Sequence, residues 1–394
     1  MSAPESPSAR ERLGAPESEA REDERPVLFV TGHAPAYRVG SFARLHELER
    51  IELALFGGRS LHGGAPGPRE LPFPHRHVRP RELWPLAASG RYRAVVCPTG
   101  GRAAPLACWA GARCARVPLL LWASLWAHPR SVAHAFTYLP LRRLYRSADA
   151  VVTYGPHVSA YVRALGARNV HVAPQAVDND FWRAPVASAP TPMPPPTAPA
   201  STEPEPPGAS AAAPARFLFV GRADPEKGLA TLLAAWREAA LAPALATLAL
   251  VGPAPGEALP AGVRALGRLG PEDLRRAYAE ADALVVPSVP TRTFREPWGL
   301  VVNEAMNQGL AVIATDAVGA AAGGLVRDGH DGLVVPARDS GALAGAIARL
   351  AADGALRARL GAAGAREVLA HSPEAWAQGF SRALFSVGVS RVRW

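Results

Sequence analysis

Residues 217–228 read Phe217-Leu-Phe-Val-Gly-Arg-Ala-Asp-Pro-Glu-Lys-Gly228. Phe217–Val220 is a short apolar run of strand type, Gly221 ends it, and Pro225 and Gly228 punctuate a loop. The pattern over 228–240 then turns helical. In a strand–loop–helix unit the free N–H groups and the positive dipole end of the helix point into the loop, where an anion is welcome. Arg222 and Lys227 stand in that loop. A guanidinium forks onto phosphate oxygens, whereas an ammonium is a compact point charge. Together they suit a leaving diphosphate, although two solvated basic residues on a surface loop would look the same. Lysine usage favours the first reading: Lys227 is the only lysine, and the other 42 basic residues are arginine.

The same rhythm extends outward from this unit. In the second half of the chain, strands are expected at Phe217–Val220, Thr247–Val251, Leu284–Val286, Ala311–Ala314 and Leu333–Val335. Helices are expected near 228–240, 271–280, 300–308 and 341–351. In the first half, strands are expected at Val27–Thr31, Ile51–Phe56, Ala94–Cys97, Pro118–Trp122 and Val151–Thr153, with helices over Ser41–Arg50, 129–147 and 157–165. Continuous apolar strands between helices predict parallel sheets covered on both faces, with ligands at the carboxyl ends of the strands. Residues 184–215, rich in Pro, Ala and Ser without periodicity, form an extended linker. The expected organisation is a disordered tail over 1–25, an acceptor-side domain over 26–183, the linker, and a donor domain over 216–370. The last segment, 371–394, is expected to be a helix and tail that packs back on the first domain.

Composition narrows the function classes. The chain has 394 residues, 48% of them hydrophobic and 20% charged, enough for packed cores and incompatible with wholesale disorder. Cys97, Cys108 and Cys114 match no zinc spacing and no disulfide framework. No apolar run spans a bilayer, and the polar first 25 residues lack the apolar core of a secretory signal, so a soluble cytoplasmic protein is expected. The net charge of +9 is uneven. Residues 26–183 hold 20 basic against 8 acidic residues, a net +12, whereas 184–394 hold 19 of each. The first half therefore favours an anionic partner: lipid headgroups, a phosphorylated acceptor or nucleic acid. The alternation of apolar residues and arginines in Leu139–Arg146 suits an anionic membrane face, as well as an ordinary solvated helix.

The second chemical motif is Phe294-Arg-Glu-Pro-Trp-Gly-Leu-Val-Val-Asn-Glu304. Pro297 and Gly299 make a turn, so Glu296 sits in a loop and Glu304 one turn into the following helix. The N–H groups of Gly299, Leu300 and Val301 lie between them. Carboxylates accept hydroxyl hydrogen bonds and free amides hold phosphate, which suits a polyol phosphate. The run Gly319–Gly324 loosely resembles a phosphate loop. In the first half, Gly32, His33, Arg38 and Gly40 follow the first strand, where cleft residues lie. His128 follows the strand over 118–122 and is a candidate cleft histidine, while His134 and His157 read as structural.

On Arg222, Lys227, Glu296 and Glu304, the stretches FLFVGRADPEKGLATLLAAW, ADALVVPSV and EPWGLVVNEAMNQGLAVIATDAVGAAAGGLVRDGHDGLVVPARD resemble the donor half of glycosyltransferase family four, of the GT-B fold. ADAVVTYGPHV (148–158) and VAPQAVDNDFW (172–182) extend the resemblance loosely into the first half. The resemblance implies two Rossmann-like domains facing a cleft and a retaining transferase using a nucleotide sugar. It implies that Arg222 and Lys227 hold the diphosphate and that Glu296 bonds the donor sugar hydroxyls. Glu304 would bond the ribose, amides near Gly299–Val301 would hold phosphate or sugar oxygens, Arg268 and Leu269 would lie near the base, and Gly40 would abut the diphosphate. No metal or other cofactor is implied. Departures are Trp122-Ala123-Ser124-Leu125-Trp126 where members often carry a histidine, with His128 the nearest one; Gln175-Ala176 for the usual Asn-Gly; and Pro297-Trp298 where Gly-Phe is common.

The resulting expectation is transfer of a hexose from a nucleoside diphosphate to a glycan or lipid-linked acceptor, in cell-surface polysaccharide or lipopolysaccharide synthesis. The expected localisation is the cytoplasm, and the charge of 26–183 with the 139–146 stretch adds peripheral contact to the inner face of the plasma membrane. Two alternatives use the same residues: a sugar-nucleotide epimerase on this fold, and a non-catalytic module that binds nucleotide sugar or an anionic polymer. No nucleic-acid module is recognisable, so no nucleic-acid partner is expected.

Overall fold

In a computed structural model the described residues are 24–57, 70–100, 103–186, 213–252 and 258–394. The expected tail and linker fall largely outside them. The first seven strands are β1 (Val27–Thr31), β2 (Ile51–Leu55), β3 (His75–His77), β4 (Ala94–Pro98), β5 (Leu119–Ala123), β6 (Ala150–Thr153) and β7 (Val170–Val172). They form one parallel sheet in the order β3-β2-β1-β4-β5-β6-β7. The second sheet joins β8 (Ala215–Val220), β9 (Ala246–Val251), β10 (Val263–Gly267), β11 (Ala283–Val286), β12 (Ala311–Thr315) and β13 (Leu333–Val335) in the order β10-β9-β8-β11-β12-β13. All its pairings are parallel too.

Central strands such as VLFVT, AVIAT and ALVV are buried along their whole length, which is why they carry no polar alternation. In both sheets the order reverses beside the first strand, between β1 and β4 and between β8 and β11. Such switch points open a crevice at the carboxyl ends of the strands.

The helices of the first half are α1 (Ala36–Glu49), α2 (Leu83–Ala87), α3 (Ala104–Ala115), α4 (Val132–Ser147), α5 (Pro156–Ala164) and α6 (Asn179–Arg183). Those of the second half are α7 (Leu229–Ala239), α8 (Pro271–Glu280), α9 (Val301–Asn307), α10 (Gly319–Ala322), α11 (Ser340–Ala352), α12 (Gly354–Glu367) and α13 (Pro373–Ser386). Helix α1 begins five residues before the expected Ser41. Pro35 supplies an extended residue immediately before the first turn. Burial of Phe42 and Leu45 outweighs the roughly 1 kcal/mol cost of Gly40 inside a helix.

The chain end returns to the first half. Trp376 and Phe380 of α13 pack on Phe29, Phe42 and Trp122, with ring centroids 5.3 to 6.2 Å apart. Beneath them the buried Glu49 carboxylate accepts from Arg93 Nη2 at 2.8 Å, from Ser390 Oγ at 2.6 Å and from the Arg391 N–H at 2.9 Å, as well as from Ser381. A buried ion pair with this many hydrogen bonds offsets much of its desolvation cost.

Candidate active site between the two sheets

Lys227 closes a single 3₁₀ turn after β8, followed by Gly228 at φ 71°. A Cβ at Gly228 would stand 1.8 Å from the Pro287 carbonyl oxygen, so this close approach of the β8 and β11 loops requires glycine. The Val289 N–H donates to the Glu226 carbonyl at 2.9 Å and completes the junction. Through it Lys227 reaches Glu296: its Nζ donates to Oε2 of that carboxylate. Ser288 Oγ, also buried, stands 3.5 Å from the same oxygen. Two residues separated by 69 positions thus form one ion pair at the carboxyl ends of β8 and β11.

Arg222 leaves the end of β8 and pairs with Asp224 at 2.6 Å. The neighbouring rims are stitched by backbone bonds, Gly221 N–H to Val251 O at 3.0 Å and Gly252 N–H to Gly267 O at 2.7 Å. These bring the Gly267–Gly270 turn, with an exposed Arg268 and a half-buried Leu269, to the same rim as Arg222. Glu304 lies further along, on α9, where Oε2 accepts from the Tyr278 hydroxyl at 2.8 Å. Burial pushes the Glu304 carboxyl up to about 7, against the opposing pull of that hydrogen bond. Gly299 adopts φ 92° and starts the turn into α9, with Leu300 as its N-cap and Val301 as its first residue.

Three expectations change. The Gly319–Gly324 run is no phosphate loop: it folds into α10, and all six of its N–H groups donate to carbonyls of Glu296, Trp298, Val318, Gly319 and Ala321. A Cβ at Gly319 would meet the Pro297 carbonyl at 2.0 Å, so the small residues let this segment buttress the Glu296 turn. Gly40 is not in the loop after β1. It lies exposed on α1, 4.0 Å from Pro373 at the start of α13, and does not join the site cluster. His128 has both ring nitrogens engaged inside the first half, with the His134 carbonyl at 2.8 Å and the Tyr161 hydroxyl at 3.3 Å. It lines the cleft, but both nitrogens face groups of the first half rather than the Glu296 cluster.

Residues that motif reading passed over join the halves. Trp126 Nε1 donates to the Glu296 carbonyl at 3.1 Å, and the Arg130 N–H donates to the Arg292 carbonyl at 2.6 Å. His157 Nε2 bonds the Pro297 carbonyl at 3.1 Å; burial lowers its pKa, so the imidazole is neutral and donates. Asn303 donates to the Gln175 carbonyl at 3.0 Å. Helix periodicity carries no signal for such contacts, because each joins residues of different domains. Among the described residues no cluster of His, Cys, Asp and Glu could hold a metal ion, and no helix is long and apolar enough to cross a membrane.

Residues 214–353 match the family model for glycosyl transferases group 1. A phosphatidyl-myo-inositol mannosyltransferase of Mycobacterium leprae is 36% identical over 159 residues, covering 38% of this chain and 41% of that protein. A D-inositol 3-phosphate glycosyltransferase of Streptomyces bingchenggensis is 39% identical over 97 residues, covering 24% of this chain and 19% of that protein. The match therefore spans less than half the length of either curated relative. Among solved structures, Anabaena HepE in complex with UDP and glucose superposes with a TM-score of 0.65 at 18% identity, over 92% of this chain and 100% of that one. Sucrose-phosphate synthase from Thermosynechococcus elongatus gives 0.63 at 20% identity over the same shares. These likenesses establish the two-domain GT-B architecture.

Proposed function

We propose that this chain, whose residues 214–353 match the family model for glycosyl transferases group 1, moves a hexose from a nucleoside diphosphate sugar to a glycan or lipid-linked acceptor. The observation that carries the reading is the Lys227–Glu296 ion pair at the switch point of the second sheet, flanked by Arg222. An ammonium has three donors, so Lys227 holds Glu296 with one and offers others to a diphosphate. Glu296 then accepts from the donor sugar hydroxyls. Glu304, Arg268 and Leu269 stand on the rim where ribose and base would lie, and the N–H groups of Gly299–Val301 face phosphate or sugar oxygens. UDP in the complex of the Anabaena neighbour makes uracil a first candidate base.

In this reading transfer retains configuration. The C1–O bond to the diphosphate breaks with the electron pair on oxygen. The acceptor oxygen bonds C1 from the same face, and its proton passes to the leaving phosphate. Arg222 and Lys227 stabilise the charge that develops there. The test is a thermal-shift panel with UDP, GDP, ADP, CDP and TDP on the full chain and on Lys227→Ala. One diphosphate should stabilise saturably, and the variant should lose that shift. Stabilisation by none of them refutes the reading.

Membrane contact is the remaining part of the proposal. Helix α4 exposes Phe136 and Leu139 beside Arg143 and Arg146. Binding to liposomes should need anionic lipid and weaken with salt. Absent or salt-insensitive binding refutes it.

A further inference from the structure

A cavity of about 640 Å³ at the domain junction is bounded on one side by Leu125–Ser131 and Ala135. Its other wall is Pro290–Arg295 with Arg338. It adjoins the Glu296 turn without containing it, because Trp126 in its wall bonds the Glu296 carbonyl. Four guanidiniums line it, from Arg130, Arg292, Arg295 and Arg338, and no aspartate or glutamate does. Among the described residues none of the four has a carboxylate partner. This contrasts with Arg222, Arg216 and Arg327, each of which is paired.

The four are held in place by means other than ion pairs. Arg295 lies over the Trp126 ring, 5.0 Å from its centroid. Arg338 donates to the Pro290 carbonyl from a backbone at φ 68°, a conformation L side chains rarely adopt. Arg130 and Arg292 are joined through their main chains at 2.6 Å. Three of the four belong to the half of the chain with zero net charge, so their convergence is not a by-product of the basic first half. Like charges gathered on one cavity repel one another, and an oxyanion relieves that repulsion through forked N–H···O bonds.

We propose that this cavity is the acceptor site, and that it takes an acceptor carrying an oxyanion, phosphate or carboxylate, seated on Arg130 and Arg292. The inference rests on the transferase reading and names the substrate class of its second site. Leu125, Trp126 and Phe294 supply apolar surface for the sugar ring beside the charged group. The donor diphosphate has its own cations, so the two anions do not compete.

The test is calorimetric titration of the full chain with glucose, glucose 6-phosphate and glucuronate, each with and without UDP. The two charged sugars distinguish phosphate from carboxylate as the source of the oxyanion. At least one of them should bind, more weakly at higher salt, and glucose should not. The Arg130→Gln/Arg292→Gln double variant should lose at least tenfold in that affinity, while Arg349→Gln, an exposed control on α11, should change nothing. Equal binding of glucose, unchanged affinity in the double variant, or no binding of either charged sugar up to about 10 mM overturns the proposal. UDP binding read on the same samples separates the two ideas. UDP bound with no charged sugar bound refutes the acceptor site alone. A charged sugar bound, and lost in the double variant, without UDP binding supports the oxyanion site and refutes the donor reading.

Discussion

Glu304 should make the second domain less stable as pH rises past neutrality, and Glu304→Gln should remove the effect. An unfolded glutamate titrates near 4.5 and the folded one at about 7, because burial on α9 disfavours its charge. Between those values the folded chain holds a proton that the unfolded chain has released. Stability therefore falls as pH rises through the window and levels off above it. At 1.36 kcal/mol per pKa unit the shift amounts to roughly 3 kcal/mol, and the partial solvent contact of Glu304 reduces this to about 2 kcal/mol. The amide mimics the neutral acid and keeps the Tyr278 bond. Variant and wild type should therefore melt together at about pH 5 and diverge by about 4–8 °C at about pH 8, the variant higher. Scanning calorimetry at both values measures the difference of differences, so other titrating groups cancel. A gap that is the same at both pH values refutes the reasoning.

Two further outcomes test the junction. Gly228→Ala should cost at least about 3 kcal/mol, since its Cβ would meet the Pro287 carbonyl from a left-handed backbone; soluble yield and melting temperature measure this, and a shift under about 1 °C is incompatible with the close approach. His157 is neutral in the fold and protonates when unfolded, so its contribution is present above pH 6.5 and lost as pH falls below it. His157→Gln should accordingly reduce the loss of melting temperature between about pH 7.5 and pH 5.5, and an unchanged loss counts against burial as the cause of its lowered pKa.

Much of this protein was legible locally. Strand β1 runs Val27–Thr31 and α8 runs Pro271–Glu280, as their periodicity predicts, because a fully buried strand and an amphipathic helix each write their environment into a short stretch. Lys227 and Glu296 were also visible, one as the only lysine and the other in a Pro-Trp-Gly turn. What local pattern misreads is whatever tertiary packing overrides. Gly40 looks like a loop residue and lies in a helix because Phe42 and Leu45 must be buried under α13. Gly319–Gly324 looks like a phosphate loop, yet two of its N–H groups are spent on the Glu296 turn and the other four on its own helical turn.

Sequence alone thus determined the two α/β domains and the residue types of the candidate site, since burial and turn chemistry act over a few residues. Only the tertiary structure decided that Lys227 meets Glu296, that His128 is engaged on both nitrogens, and that Arg130 converges with Arg292, Arg295 and Arg338 on one cavity. The first two pairings are set by packing within one domain and the third by how the two domains dock, which no local periodicity encodes.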